Sequence, residues 1–225
     1  MYKVLKRVDG KCVSPFQEYK YEPGKQYECE DFDSNPHKDC SRGFHATGID
    51  GLIYSFRNLP GYEVWEVETG GRSVEINQFK RRYEQIKLIR EVPLDEVKEL
   101  ALAEEEKVGY KLAEALFPVN PLLVKRTGPV TEDEIELLKK WDSIGYSVGD
   151  SIRDSVGAYT SSLFPGITKW EHIDHLEGEN PFQPCVDLWH KGLVPSYDGE
   201  TWRLHAGKKA EVVWEGSFDR TGGEK

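Results

Sequence analysis

The period of the hydrophobic pattern changes at Pro93, and that change constrains the fold more than any other feature. Up to residue 92 the chain reads as strands. In "YEVWEVETGGRSVEI", Val64, Glu66 and Glu68 alternate with Trp65, Val67 and Thr69, the two-residue period of a strand. "EQIKLIREV" alternates as well, and "MYKVLKRV" and "GKCVSPF" open the chain in the same way. Pro23-Gly24 marks a turn, and Gly70-Gly71 reads as a hairpin turn into "RSVEI". Between the strands, Ile49, Leu52, Ile53 and Phe56 have helical spacing and predict a short helix.

From Pro93 the spacing becomes helical. Leu94, Val97, Leu100 (or Ala101), Glu104, Val108, Leu112 and Leu116 line one side of a helix that Pro118 and Pro121 end. Thr131 and Glu134 form a Thr-x-x-Glu capping box ahead of a second apolar run. Residues 143–162, "SIGYSVGDSIRDSVGAYTSS", repeat every four residues. With its flanks the apolar series is 137, 141, 144, 148, 152, 156, 159 and 163, and its mean spacing is close to the 11-residue repeat of about 3.67 per turn. One long helix over roughly 131–163 is expected. Gly145, Gly149 and Gly157 would each cost it about 1 kcal/mol against alanine, which suits close packing of another backbone, within the chain or across a homo-oligomer.

The last part returns to short elements. Pro184 to His190 predicts an amphipathic helix ended by Gly192. "GLVPSYDGETWRLHAGKKAEVVWEG" predicts a meander with turns at Asp198-Gly199 and Gly207-Lys208 and an apolar face of Trp202, Leu204, Val212 and Trp214. The expected class is α+β: a β-rich module over 1–92, a helical region over 93–163, and a meander with a short helix over 164–225.

The net charge of -10 argues against sequence-independent nucleic-acid binding, because such a surface repels phosphate backbones. No apolar run approaches the length of a membrane span, and "MYKVLKRVDG" carries no apolar signal core, so a cytoplasmic protein is expected. Cys12, Cys29, Cys40 and Cys185 form no Cys-x-x-Cys pair and read as reduced thiols.

"YKVLKR", "YEPGKQYE", "CSRGFHATG", "YEVWEVETGG" and "QIKLIREV" occur in that order over about residues 1–95. This resembles a family of uncharacterised phage and prophage proteins, with Pro23 where the family's second motif has valine. The later Ser-Val repeat and "NPFQPCVDLW…GLVPSYDGETWRLH" also look like phage-encoded proteins. The resemblance brings no activity. It implies a phage accessory protein of the kind that acts on the host or its defences.

Three clusters could carry chemistry. The strand "GFHA" leading into a helix is similar to one strand of the ADP-ribosyltransferase fold. That resemblance implies a His45 ring packed on nicotinamide, with Glu66 or Glu68 as the ribose-binding glutamate. His45 is otherwise a packed histidine or a ligand contact. His172 and His175, with Asp187 and His190 downstream, have the spacing of a metal site but no His-Glu-x-x-His order or cysteine pair, and no metal is assigned. Trp170, Trp189, Tyr197, Trp202 and Trp214 crowd the last sixty or so residues. Arg203 and His205 share a strand face there, with Lys208 in the next turn, a cationic and aromatic cluster suited to a nucleotide phosphate. The candidate ligand-binding residues are thus His45, Tyr54, Trp202, Arg203, His205 and Lys208.

No Gly-x-Ser-x-Gly, P-loop or dinucleotide fingerprint occurs, and no catalytic set or cofactor is assigned. The expected function is a phage-type protein that sequesters a small ligand, such as a nucleotide-derived defence signal. The alternatives are ADP-ribosyl or other nucleotide-processing chemistry, and an acidic inhibitor that docks on a host protein.

Overall fold

A computed structural model describes residues 1–144, 152–170, 173 and 175–218. The class is α+β, and the chain divides into two compact units, 1–117 and 118–225. The helical stretch 93–163 is therefore shared between them.

The first unit is built on β1 (Tyr2–Val8), β2 (Lys11–Val13), β3 (Lys20–Tyr21), β4 (Gln26–Glu28), β5 (Phe44–Ala46), β6 (Tyr62–Asn77) and β7 (Lys80–Val92). The strand order is β3-β2-β1-β6-β7-β4, with β5 also on β7. This order forces curvature. β3 and β4 stand at opposite ends of the path, yet only residues 22–25 join them. Six flat strands would span about 24 Å, and the connecting peptide reaches about 17 Å at most, so the sheet has to roll. Pro23-Gly24 makes that joint as a turn, as the sequence predicts, with the Lys25 N–H donating to the Glu22 carbonyl at 3.2 Å. At one end the roll closes. The Tyr2 N–H donates to the Thr47 carbonyl at 2.8 Å, the Thr47 N–H donates back to Tyr2 at 2.9 Å, and β1, β6, β7 and β5 complete a ring.

The alternation read from the sequence sorts the two faces on β1 and β6, while a register shift interrupts it on β7. Leu5, Trp65, Val67, Phe44, Tyr83, Ile86 and Leu88 fill the inside of the roll. Val4, Val64 and Val92 face the other way, onto α1 (Leu94–Val108), α2 (Leu112–Leu116) and a 3-10 turn over Asp50–Tyr54 that buries Leu52 and precedes buried Phe56. Each such aliphatic side chain contributes about 2 kcal/mol by leaving water.

Two expectations fail in this unit. Gly70-Gly71 is not a hairpin turn: β6 runs through it, and its pairing with β7 shifts register between Gly70 and Ser73. Gly71, at φ +69°, makes the bulge, and a Cβ there would stand 2.6 Å from the Glu84 carboxylate. The true turn is Asn77 to Lys80, where the Asn77 side chain accepts from the Phe79 N–H at 3.0 Å. The helix that Pro118 was to end breaks earlier, at Gly109, and resumes as the short α2.

The second unit holds α3 (Glu132–Ile144), α4 (Ile152–Ser162), α5 (Gln183–His190) and an antiparallel sheet of β8 (Val194–Tyr197), β9 (Trp202–Ala206) and β10 (Glu211–Gly216), in the order β10-β9-β8. Its core gathers Leu138, Trp141, Cys185, Leu188, Trp189 and Leu204. The meander and its turns lie where the sequence predicts them. A register shift between Val212 and Trp214 leaves Val212 opposite His205 and half exposed, so only Trp214 joins the Leu204 face.

The join of the expected 131–163 helix, with Gly145 and Gly149, lies outside the described residues. Gly157 does not mark close packing, because a Cβ there would meet nothing within 4 Å.

The capping box forms. The Thr131 N–H donates to Glu134 at 3.0 Å, and the Glu134 N–H donates to the Thr131 hydroxyl at 3.4 Å. Glu134 is also buried against Arg126, a two-pronged contact at 2.7 and 2.9 Å that holds its carboxyl below the usual range. Glu134→Ala leaves that guanidinium only the Lys191 carbonyl and removes the side-chain half of the capping box, so it should lower the stability of the second unit by about 3 kcal/mol. Urea denaturation followed by tryptophan fluorescence measures this, and an unchanged midpoint would remove the pair from the account.

Candidate functional site

The first unit carries a cavity of about 360 Å3 that opens to solvent, in the size range of small-molecule sites. It is built from the start of β1, the loop 14–17, the end of the 39–43 loop, β5 and the β6–β7 turn. His45 and Tyr54, both singled out in the sequence, line it.

The motif "RGFHATG" folds as it does for reasons of packing. Gly43 has φ +135°, and a Cβ there would lie 2.7 Å from Cγ of the fully buried Arg82. Phe44 and Ala46 then point into the core. His45 takes the other face, opposite Arg82 across the ladder. Thr47 bonds through its hydroxyl to the Phe79 carbonyl, so β5 and the β6–β7 turn hold each other. Phe79 in turn packs on Tyr54, with ring centroids 4.7 Å apart and planes at 37°.

The electrostatics are unlike those of the rest of this acidic chain. Lys3 is buried in the cavity wall at 9% exposure. Its ammonium donates to the His45 carbonyl at 2.9 Å and lies 5.2 Å from the centre of the Tyr21 ring. Among the described residues it has no carboxylate partner. Burial, and after it the charge of Lys80, lower its pKa to about 8. Lys80 also lines the cavity, ion-paired with Asp39 at 2.8 Å. Asp39 is the one carboxylate among the described lining residues, and the Lys80 bond keeps it below the usual range.

His45 completes the set. Burial chiefly, then Lys80, Lys3 and Arg82, push its pKa down to about 3, so the ring is neutral at physiological pH. Its Nε2 is shut off from solvent and has no hydrogen-bond partner. The wall thus presents an ammonium with no carboxylate partner among the described residues, the neutral His45 ring, and aromatic surface from Tyr21, Tyr54 and Phe79.

Lys3, Lys80, Asp39 and Phe79 are absent from the sequence reading. The available signal was Lys3 itself, a cation on the strand face that Leu5 sends into the core. That signal was weak, because neither face of "YKVLKRV" is uniformly apolar.

The second sequence cluster lies in the other unit. Trp202 is buried in its core, and its indole N–H donates to Asp142 at 2.8 Å. Arg203 is already paired, to Asp198 at 2.5 Å and Glu215 at 3.7 Å. His205 Nε2 lies 2.7 Å from the Ser196 hydroxyl, and its Nδ1 lies 3.0 Å from the Ala210 carbonyl. Lys208 is exposed in the β9–β10 turn. Of the metal cluster, His172 and Asp174 lie outside the described residues. Asp187 accepts from Gln183 at 2.7 Å, and no group able to hold a metal occurs among the described residues. All four cysteines are free.

The fold and cavity define an α+β protein with a ligand-sized site in its β-rich first unit. Residues 2–100, which hold every cavity-lining residue, match the family model described as a domain of unknown function, DUF7666. No curated protein and no solved structure matches the chain. No helix among the described residues is long and apolar enough to cross a membrane.

Proposed function

We propose that this is a phage-type accessory protein that binds and sequesters a small nucleotide-derived ligand in the cavity of its first unit. One observation carries the reading: Lys3, a buried ammonium with no carboxylate partner among the described residues, lines an aromatic-lined cavity beside the His45 ring. An anionic group supplies the missing counter-ion, and a planar ring packs on the Tyr54 and Phe79 side. On this reading the protein acts in the cytoplasm of the host.

Sequestration is favoured over nucleotide processing by the composition of the wall. Neither Glu66 nor Glu68 lines the cavity, and Glu66 is engaged with Arg90 at 2.8 Å. The one lining carboxylate, Asp39, is held by Lys80. That leaves no free acid for the ribose-binding role that an ADP-ribosyltransferase-like site needs.

Native mass spectrometry of the purified protein, with and without a pool of NAD, ADP-ribose derivatives and cyclic nucleotides, tests the proposal. A stoichiometric adduct of unchanged mass that His45→Ala weakens is the expected result. A new product mass would replace sequestration with catalysis. No adduct with any member of the pool would sink the nucleotide reading in favour of a protein-docking inhibitor.

A further inference from the structure

We infer that the cavity takes its ligand by a phosphate-type anion bound between Lys3 and Lys80, and that Asp39 is an internal surrogate that must release Lys80 for this to happen. The inference rests on the ligand-binding reading above and names its chemistry.

Two ammonium groups line one small cavity, and they are not equivalent. Lys80 is compensated by Asp39 at 2.8 Å, whereas Lys3 donates only to a backbone carbonyl and faces an aromatic ring. The three groups together leave one net positive charge, and its Lys3 part is buried. A buried charge of this kind is retained where something else balances it. Lys3 and Lys80 line the same cavity, and the charge of Lys80 is felt at Lys3, so the two ammonium groups present one positive region to an anion with several oxygens.

Asp39 is suited to give way. Its side chain is 68% exposed, and that of Lys80 only 31%, so the carboxylate can swing to water while the ammonium stays at the cavity. The neutral His45 ring lines the same cavity and adds no charge to it. A phosphate monoester or pyrophosphate, with two or more negative charges, fits two ammonium groups. A carboxylate offers less charge and fewer acceptors.

Lysine footprinting of the full chain tests this, with inorganic pyrophosphate as the probe. Acetic anhydride modification of Lys3 and Lys80 is followed by peptide mass spectrometry, in pyrophosphate and in sodium chloride of equal ionic strength. Pyrophosphate, and not chloride, should slow modification of both lysines. In Asp39→Asn the concentration giving half protection should fall up to about fivefold, since the surrogate of an exposed ion pair has been removed. The exposed position of Asp39 makes this variant safe for folding.

Equal modification of Lys3 in the two salts would overturn the inference, as would unchanged or weakened protection in Asp39→Asn. The outcomes separate it from the broader reading. A nucleotide adduct with Lys3 unprotected would leave sequestration standing and remove this anion site. Protection by pyrophosphate with no nucleotide adduct would do the reverse.

Discussion

Lys3→Met raises the stability of the protein at pH 7 and weakens binding of an anionic ligand. The two effects have one cause. Lys3 is held in a wall where burial and Lys80 disfavour its charge, with a pKa of about 8 in place of 10.5. Below pH 8 the folded protein carries that charge at a cost, on the order of 3 kcal/mol from the size of the shift. The unfolded chain keeps its proton up to about pH 10.5, so between pH 8 and 10.5 it binds more protons than the folded chain, and stability rises with pH across that window. Methionine matches the length of the stem, removes the cost, and loses the bond to the His45 carbonyl. A net gain of about 1–2 kcal/mol at pH 7 is expected, with the rise between pH 8 and 10.5 flattened. Affinity for an anionic ligand should fall at least about tenfold, because a charge-assisted contact is lost. Thermal denaturation at pH 7 and pH 10, with titration calorimetry of the ligand, reads both. A destabilised variant with intact binding would show that Lys3 is a structural lysine.

Gly43→Ala works in the opposite direction and is larger in its effect on the fold. The residue combines φ +135° with a backbone pressed against Arg82, and a methyl group would lie 2.7 Å from Arg82 Cγ and 3.1 Å from the Phe32 ring. Arg82 has no room to retreat. It is fully buried, and its guanidinium donates to the carbonyls of Asn35 at 2.7 Å and Lys38 at 3.2 Å, holding the loop that carries Asp39. The strain and the clash together should cost about 3 kcal/mol or more. The first unit should unfold at lower urea concentration, and ligand binding should fail with it. An unchanged midpoint would mean that the 33–43 loop moves aside freely, which would detach the "RGFHA" motif from the cavity's construction.

Much of the local structure was legible. The alternation in "YEVWEVET" sorted inward from outward residues on β6, because a strand's two faces follow from a period that the sequence displays, whereas on β7 a register shift puts Val92 on the face opposite Ile86 and Leu88. Thr131 and Glu134 announced a helix start, because capping is a contact over three residues. Asp198-Gly199 and Gly207-Lys208 placed the turns of the meander for the same reason. What failed locally failed at glycines. Gly70-Gly71 can serve a hairpin or a bulge, and the choice depends on Glu84 across the ladder. Gly157 reads as close packing until the space around it proves open.

The sequence by itself determined the class and the sites of most elements, which rest on residues a few positions apart. Only the tertiary structure decided where the cavity is and what lines it. The ring closes through Tyr2 and Thr47, Lys3 reaches the carbonyl of His45 forty-two residues away, and Thr47 secures Phe79 thirty-two residues on. It also separated His45 and Tyr54 from Trp202, Arg203, His205 and Lys208 into different units, with Arg203 already neutralised by Asp198 and Glu215. Such juxtapositions come from the rolling of a sheet whose strand order leaves no periodic trace in the chain, so the charge that each side chain meets at the end of folding is a property of the fold.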